Sequence, residues 1–504
     1  MPRIATMALL FAAAGVFEAR NLTSLSALAN ADIWWHLRTG LWILQNHGLP
    51  HTGIFSQSPD SAWIAASWAY DVKLAIFYKL LGLASIPVFS ISFKVALAVI
   101  TFLLAGGRRG NFWAAAAISA IGQYILAAVP PTPIYCSALF FGVELLLLLE
   151  SRRSASGRPL FWLLLLFIAW ANLDPYFVYG LALLILFLAA IAFGAVTYGR
   201  DHRESEIANS PQFSSTGKPM ATVALCALAT LFTPYLYRPW GVFFARAFSA
   251  ANPYLSDYRA PGFRQPQDYL LLLFVMAAFV ALGMRRSRDP FLIGLIAISA
   301  AMSFHSQRDL WLVVLSVSAV LGETMNPAGP TESVIARETK RSAALSQSSN
   351  PNLRSLFIAA ALALLIVALA AAILIPHPSE ALLAKVGQNY PVAAANYIRE
   401  HRLPQPLFNA FEWGGFLTWY LPEFPVAIDG RIDPYGDDFV VEYSKVISVE
   451  ARYSDFPSMA NAATIVLPRS SVMAQALSSL PAYKVAYSDN VATVLIRDAN
   501  DEPR

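Results

Sequence analysis

The sequence predicts an α-helical bundle that crosses a membrane many times, followed by a small α/β domain. The composition is 57% hydrophobic and only 13% charged over 504 residues, whereas soluble proteins carry about 25% charged residues. Apolar runs close to the length of a membrane span recur as far as residue 376. Beyond that residue the runs give way to mixed sequence with short β-rich stretches, which predicts a separate domain. The net charge of +4 is small, so we expect the lipid bilayer, and no nucleic acid, as a partner.

Eleven apolar segments are the predicted spans. A hydrocarbon core of about 30 Å needs about 20 helical residues, so several segments are short, which suits a bundle built around a cavity. We interpret the first segment as an uncleaved span rather than a signal peptide, because no clear small-residue cleavage site follows it. The segments are 3–19, 86–105, 112–128, 134–150, 159–171, 176–197, 219–235, 267–284, 289–303, 307–322 and 355–376.

Basic residues in the short loops predict the orientation. With these spans, most of the basic loops fall on the side of the N-terminus, which makes that side cytoplasmic. Their residues are Arg108, Arg109, Arg152, Arg153, Arg158, Arg200, Arg203, Arg285, Arg286, Arg288, Arg337, Lys340, Arg341 and Arg354. The exception is loop 235–266, which places four arginines on the predicted outer side. Such a loop is either long enough to escape the preference for basic residues on the cytoplasmic side, or its arginines have a function.

The predicted domains follow from these spans. Residues 1–322 form the bundle, with an outer first loop over 20–85, and polar residues 323–354 form a cytoplasmic linker. Residues 355–376 are the last span, and residues 377–504 form the α/β domain outside the membrane. Segment 67–82 carries three charged residues, Asp71, Lys73 and Lys79, and its apolar residues recur at helical spacing. We predict an amphipathic helix on the outer surface there, since a further span would move basic loops outside.

The C-terminal domain is predicted to begin with helical sequence over 379–401. Four runs then resemble strands, because they combine β-branched and aromatic residues between turn signals. They are "FPVAIDG", "ATIVLP", "YKVAYS" and "VATVLIR".

The stretch "NADIWWHLRTG", residues 30–40, directly follows the first span. On a helix that begins near Ala31, Asp32 and His36 share one face, and Trp34 and Trp35 suit a membrane interface. Two interpretations are open. The stretch is an interfacial helix capped by its own acid, or Asp32 accepts a proton from a hydroxyl nucleophile, with His36 or Arg38 as its partner.

Further ionisable side chains gather at the predicted outer ends of the spans. Ionisable groups at membrane depth indicate function by default, and a lipid-linked substrate requires them at one leaflet. Asp60, Asp174 and His305 belong to this group. Asp429 and Arg431 follow the apolar "PVAI", and they form either a structural ion pair or one wall of an acceptor site.

Two stretches resemble a large group of bacterial membrane proteins. They are "DIWWHLRTGLWILQNHGLPHTGIFS", followed by "AWIAASWAYDV", and "FEWGGFLTWYLPEFPVAIDGRIDPYG". The group is similar to the GT-C superfamily of glycosyltransferases. The resemblance implies a multi-span bundle, a short helix lying on the membrane in the first outer loop, and a C-terminal domain outside a bacterial cytoplasmic membrane. In the second stretch it implies a Trp-Gly-Gly strand turn.

The resemblance also implies an activity, namely transfer of a sugar from polyprenyl phosphate to an unknown acceptor outside the membrane. Asp32 matches the acidic residue of the first outer loop that the resemblance implies as the catalytic base or as a metal ligand. Members of the family often have a second acidic residue two positions before this one, and here that position is Asn30. We therefore predict no metal ligand, while a bound divalent cation stays open. Asp60 or Asp174 would supply a second carboxylate.

The phosphate of such a donor needs cations at the interface, and a guanidinium fits phosphate through two hydrogen bonds. The predicted phosphate-binding residues are Arg238, Arg259 and Arg308, each just outside a span; contact with lipid headgroups is the alternative for each. Five further residues are predicted either to lie near the acceptor or to support the residues that contact the substrates. They are Asp60, Asp174, His305, Asp429 and Arg431. Two other functions are open: a transporter or flippase of a lipid-linked glycan, and a GT-C-shaped protein that binds lipid without catalysis.

Overall fold

A computed structural model describes residues 2–23, 28, 30–127, 129–154, 158–198, 217–325, 353–374 and 379–498. Most of the predicted linker, residues 326–352, lies outside these ranges. So do five of the basic loop residues: Arg200, Arg203, Arg337, Lys340 and Arg341.

Helices occupy each of the eleven predicted spans. Within the described residues, three stretches are long and apolar enough to cross a membrane, namely Trp68–Leu104, Ile134–Arg153 and Pro266–Met284. Eleven crossings therefore stay a prediction. The helices of the first part of the chain are α1 Pro2–Thr23, α2 Asp32–Asn46, α3 Trp68–Leu81, α4 Ser85–Leu104, α5 Phe112–Leu126, α6 Ile134–Ser154, α7 Arg158–Leu173, α8 Phe177–Tyr198, α9 Gly217–Ala229, α10 Arg238–Ala247, α11 Pro266–Met284, α12 Pro290–His305, α13 Leu310–Met325 and α14 Leu353–Leu374.

Helix α3 is separate from α4, although the two follow each other closely in the chain. Gly82 has a φ of +60°, a conformation that suits glycine, and the chain turns there. The rings of Tyr70 and Phe77 both contact Phe89, with centroids 5.3 and 5.6 Å apart. A continuous helix would hold Tyr70 and Phe89 about 28 Å apart, so α3 folds back on the start of α4. The position of α3 on the outer surface stays a prediction.

The basic loops meet at one end of the bundle, where three ion pairs join different helices or loops, besides the pair of Arg153 with Glu150 within α6. The pairs are Arg152 with Asp289 at 2.5 Å, Arg153 with Glu323, and Arg109 with Glu150. Arg152 lies in the last turn of α6, whereas α6 begins beside Pro133, about 30 Å away along the helix. The two ends of α6 therefore mark two different faces of the bundle, one rich in ion pairs and the other beside α2.

The C-terminal domain contains a four-stranded sheet in the order β1-β2-β4-β3. Strand β1 is parallel to β2, and the other two pairs are antiparallel. Six short helices surround the sheet. The elements are α15 Ser379–Val386, α16 Val392–Glu400, β1 Leu407–Asn409, α17 Phe411–Tyr420, α18 Asp437–Ile447, α19 Pro457–Ala460, β2 Thr464–Pro468, α20 Val472–Ser478, β3 Tyr483–Ser488 and β4 Ala492–Arg497.

Two predictions for this domain are wrong. The run "FPVAIDG" is not a strand of the sheet. Its Val426 makes one bridge to Ser56, and the Asn409 side chain binds Ala427 N and Ile428 O, so side-chain bonds replace a ladder. The Trp-Gly-Gly sequence is not a strand turn but part of α17. Three of the four predicted strand runs are confirmed, and β1 was not predicted.

The glycines of α17 allow it to lie directly on its neighbours. A Cβ at Gly414 would overlap the carbonyl oxygen of Ile428, and a Cβ at Gly415 would lie 2.5 Å from the carbonyl oxygen of Ala31. Glycine costs helix stability but permits this close approach. Helix α17 is thereby seated on the N-terminus of α2.

Aromatic and polar contacts join the C-terminal domain to the first loop. The Trp34 ring contacts Tyr390, Phe416 and Trp419, with centroids 4.8 to 5.7 Å apart. Gln57 Nε2 donates to the carbonyl oxygens of Leu407, at 2.5 Å, and Pro425, at 3.2 Å. The first loop and the C-terminal domain therefore lie on the same side of the bundle.

Candidate functional site

The N-terminus of α2 is capped by Asn30. Its Oδ1 accepts hydrogen bonds from the backbone N–H groups of Asp32, at 3.0 Å, and Ile33, at 3.3 Å, which satisfies two donors that the first turn leaves open. The interpretation of Asp32 as the cap is therefore wrong. The Asp32 carboxylate instead accepts a hydrogen bond from Trp35 Nε1 at 3.1 Å. Because the Asn30 side chain makes the cap, the Asp32 carboxylate takes no part in it.

A cavity of about 30 Å³ opens beside Asp32. This volume holds one or two waters, so a sugar enters only when the surrounding loops separate. Seven segments far apart in the sequence contribute to its walls. The lining residues include Asp32, Trp35 and His36 of α2, Trp63 to Ser67, Thr132 and Pro133, Asp174 to Tyr176, Val242 and Arg246 of α10, Arg308, and Asp433 of the C-terminal domain.

The Asp32 carboxylate has a raised pKa. Burial is the largest cause, and the negative charge of Asp257 adds to it, while Arg308 and Arg246 act in the opposite direction. A carboxylate whose pKa lies above its ordinary value is a better proton acceptor. A Cβ at Gly430 would overlap Asp32 Oδ1, so the C-terminal domain contacts this carboxylate through bare backbone.

His36 lines the same cavity and is buried. Its Nδ1 lies 2.6 Å from Asp71 Oδ1 of α3, and its ring is stacked on Trp35 with centroids 3.5 Å apart. Burial, followed by the charges of Arg246 and Arg308, lowers the pKa of His36 well below its ordinary value. The imidazole is therefore neutral at physiological pH.

Arg308 lies in the 3₁₀ turn Gln307–Asp309, between α12 and α13. Its guanidinium carbon is 5.1 Å from the ring centre of Tyr176 and 5.2 Å from that of Tyr258. Among the described residues the guanidinium has no carboxylate within ion-pair distance, and its Nε is buried without a hydrogen-bond partner. Two rings therefore hold a cation that is free to bind an anion in the cavity.

Arg246 is a second cation of the cavity, and the sequence did not single it out. Its Nη2 donates to the carbonyl oxygen of Arg431 at 3.1 Å and to Asp433 Oδ2 at 3.4 Å. The only sequence signal was the basic loop 235–266 on the predicted outer side, to which Arg246 belongs. The C-terminal domain thus positions an arginine that comes from the bundle.

Asp174 lies in the loop between α7 and α8, and it lines the cavity. Its Oδ2 accepts a hydrogen bond from Ser137 Oγ at 2.6 Å. The Ser137 Oγ in turn accepts a hydrogen bond from Trp170 Nε1 at 2.7 Å. Burial raises the pKa of Asp174 to about 6. Asp174 thus contributes a buried, hydrogen-bonded carboxyl group to the cavity wall.

Besides Asp429 and Arg431, five predicted site residues do not line the cavity: Arg38, Arg238, Arg259, Asp60 and His305. Arg38 is half-buried, with its guanidinium carbon 5.3 Å from the ring centre of Phe55. The other four side chains are exposed, and Arg259 donates from Nε to the carbonyl oxygen of Pro253 at 3.2 Å. The structure brings together Asp32, His36, Asp174 and Arg308 from the predicted set.

Asp429 and Arg431 form a fully buried ion pair next to the cavity. Arg431 Nη2 lies 2.7 Å from Asp429 Oδ2, and Nε donates to both carboxylate oxygens. The Arg431 guanidinium also covers the rings of Phe55 and Trp63, at 5.2 and 4.8 Å. Since Trp63 lines the cavity, the pair supports a wall from behind.

The residues of the cavity do not fit a divalent cation. The described residues contain no group of three or more His, Cys, Asp or Glu side chains arranged to hold a metal. Asp174 is bonded to Ser137, Asp433 to Arg246, and the Asn30 oxygen to two backbone N–H groups. Two guanidiniums, those of Arg246 and Arg308, supply the positive charge of this space.

No protein-family model matches the chain, and no curated protein matches it in sequence. Solved structures do match it. Archaeal oligosaccharyltransferase AglB from Archaeoglobus fulgidus, in complex with an inhibitory peptide and a dolichol-phosphate, is 12% identical, with a TM-score of 0.52 over 99% of this chain and 75% of that one. ArnT from Cupriavidus metallidurans, bound to undecaprenyl phosphate, is 14% identical, with a TM-score of 0.45 over 98% and 99%. The likeness to AglB shows a GT-C-like fold, which confirms the fold that the resemblance implied.

Proposed function

We propose that this protein is a membrane glycosyltransferase that moves a sugar from a polyprenyl-phosphate donor to an acceptor outside a bacterial cytoplasmic membrane. The cavity carries the proposal, because it places the Asp32 carboxylate beside the Arg246 and Arg308 guanidiniums. The GT-C-like fold supports it, as do the polyprenyl phosphates bound to AglB and ArnT.

In the proposed reaction, Asp32 accepts the proton of an acceptor hydroxyl. The hydroxyl oxygen forms a bond to the anomeric carbon of the donor while the bond from that carbon to the phosphate oxygen breaks. The configuration at the carbon inverts, and polyprenyl phosphate leaves with the electron pair. The raised pKa of Asp32 favours this role, since a general base works best when its pKa approaches the working pH.

Arg246 and Arg308 stabilise the charge that develops on the leaving phosphate. A guanidinium matches phosphate geometry through two parallel hydrogen bonds, and fixed donors at a developing charge lower the barrier. Arg246 is held from behind by Asp433 and by the carbonyl of Arg431, and Arg308 is held between two tyrosine rings. Both cations are therefore set in place before the donor arrives.

The acceptor is proposed to approach past the C-terminal domain. That domain supplies Asp433 to the cavity wall and contacts Asp32 through Gly430. The remaining walls come from α2, α10 and the short loops of the bundle, which are predicted to lie at the membrane surface. A lipid-borne donor would therefore enter from the bundle side.

The test is transfer of a radiolabelled sugar from polyprenyl phosphate in proteoliposomes. Asp32→Asn keeps the shape but removes the base, so we expect the rate to fall by about 10²- to 10⁴-fold. Asp438→Asn, an exposed change on α18, serves as the matched control and should transfer at the wild-type rate.

Three results would contradict the proposal. Transfer by Asp32→Asn at the wild-type rate would refute the assignment of the base. Binding of the donor without turnover in both proteins would indicate a non-catalytic lipid-binding protein. Movement of the labelled lipid across the bilayer without bond cleavage would indicate a flippase.

A further inference from the structure

A buried pair of side chains, His36 and Asp71, lies behind the cavity. Asp71 is fully buried on α3, and its Oδ1 is 2.6 Å from His36 Nδ1. Its Oδ2 is buried without a hydrogen-bond partner. Among the described residues, His36 is therefore the only side chain that bonds to the Asp71 carboxylate. Nothing in the proposed reaction so far uses this pair.

The pair orients the imidazole toward the cavity. His36 lines the cavity and Asp71 does not, so the Nδ1 edge of the ring faces away from the cavity and the Nε2 edge faces into it. Burial raises the pKa of Asp71 well above its ordinary value, so one proton is shared between Asp71 Oδ1 and His36 Nδ1 across the 2.6 Å contact. With that proton on Nδ1, Nε2 is the acceptor. Asp32 and His36 are four residues apart on α2, hence on one face of the helix.

We propose that Asp71 is a positioning residue that holds His36 with Nε2 free, so that His36 takes the transferred proton from Asp32. The inference rests on the proposed function. One proton leaves the acceptor hydroxyl for Asp32, passes to Nε2 and is released to water, which restores the carboxylate for the next turnover. During the relay the imidazolium is stabilised by the Asp71 carboxylate.

The surroundings of the imidazole suit a transient rather than a lasting charge. The titratable groups of α3 that contact the imidazole are Asp71 and Tyr70, whose ring centre lies 5.4 Å away. Those that line the cavity with it are Asp32 of its own helix, Asp174, Tyr176, Arg246, Arg308 and Asp433. Burial and the two arginines disfavour the imidazolium. His36 therefore returns its proton readily, as a relay requires.

The first experiment observes the tautomer directly. Full-length protein labelled with ¹⁵N-histidine is placed in nanodiscs, and the resonance that His36→Gln removes is assigned to His36. We expect a protonated Nδ1 and an unprotonated Nε2 at neutral pH in the wild type, and a change in this pattern in Asp71→Asn. Unchanged resonances of the six other histidines would show that the variant is folded. A proton on Nε2 in the wild type, or no change in Asp71→Asn, would overturn the proposal.

The second experiment measures turnover across pH. We expect Asp71→Asn to lower kcat by about 10²-fold, the lower end of general-base effects, with the KM for the donor unchanged and the pH profile shifted. Asp71→Glu, which keeps the carboxylate, should restore part of kcat. Wild-type kcat and pH profile in Asp71→Asn would refute the inference and leave the transferase intact. Absence of transfer in the wild type would refute the proposed function, and the tautomer would still decide the role of Asp71.

Discussion

The carboxylates around the cavity differ in what stabilises them. Asp32 accepts one hydrogen bond, from Trp35, and lies against the backbone of Gly430. Asp174 is buried and bonded to Ser137. Asp433 pairs with Arg246. Of the three, Asp32 has the least support from neighbouring donors, which is the condition of a base rather than of a structural acid.

Asp174 provides a prediction about stability and pH. Its pKa is about 6 in the folded protein, against an ordinary value of 3.8, so the folded state binds the proton more tightly than the unfolded state. Stability is then greatest below about pH 4 and falls as the pH rises to about 6. At roughly 1.4 kcal/mol per pKa unit, the cost of the charge above that pH is about 3 kcal/mol.

Asp174→Asn removes the charge and keeps an oxygen for the Ser137 hydroxyl. We expect the variant to have a higher melting temperature than the wild type at pH 8 and nearly the same melting temperature at pH 4. The measurement is thermal unfolding in detergent, monitored by tryptophan fluorescence. The exposed Asp438→Asn should show no such gain. A lower melting temperature of Asp174→Asn at pH 8 would contradict the prediction.

At the residue scale, the sequence predicted the members of the site that stand beside a recognisable stretch or a span end. Asp32 and His36 share a helix face, and Asp174 and Arg308 lie in tight turns between apolar runs. Arg246, Asp433 and Asp71 were missed as site residues. Each reaches the cavity or His36 through a tertiary contact with residues far away in the chain, so no local spacing marks them.

At the scale of elements, the contact of α17 and residues 428–431 with α2 shapes the site. Gly415 faces a backbone carbonyl of α2, whereas Gly430 faces the Asp32 side chain. A backbone group cannot move away cheaply, but a side chain can rotate. The two glycines should therefore respond differently to an added methyl group.

We expect Gly430→Ala to displace the Asp32 carboxylate and lower the transfer rate at least 10-fold, since small displacements at a reacting centre are costly, with little change in melting temperature. Gly415→Ala should instead lower the stability by about 1–3 kcal/mol. Gly262→Ala is the control, because the added Cβ would lie 4.0 Å from its nearest neighbour, Arg264 Cγ. Wild-type transfer by Gly430→Ala would show that this contact does not position Asp32.

The sequence predicted most helices correctly because apolar runs and charged loops are local signals. It failed where tertiary bonds replace local ones. "FPVAIDG" has strand-like composition, but the Asn409 side chain hydrogen-bonds to its backbone in place of a neighbouring strand. The two glycines of α17 suggested a turn, although in the structure they allow close helix packing. Strand β1 has three residues, too few for a visible pattern.

At the scale of the whole molecule, the chain has two dissimilar ends. One gathers arginine–carboxylate pairs from three loops. The other gathers α2, α10, the turn with Arg308 and the C-terminal domain around a cavity with two arginines and the Asp32 carboxylate. A cavity that neither the bundle nor the domain completes alone suits the proposed reaction between a lipid-borne donor and an acceptor outside the membrane.

The most direct test of this account is a cryo-electron microscopy structure in nanodiscs with a polyprenyl-phosphate sugar whose glycosidic oxygen is replaced by carbon. We predict that the phosphate oxygens lie about 3 Å from the guanidiniums of both Arg246 and Arg308, with the anomeric carbon facing Asp32 and the surrounding loops moved apart. A phosphate bound away from both arginines, or a sugar whose anomeric carbon faces away from Asp32, would contradict it.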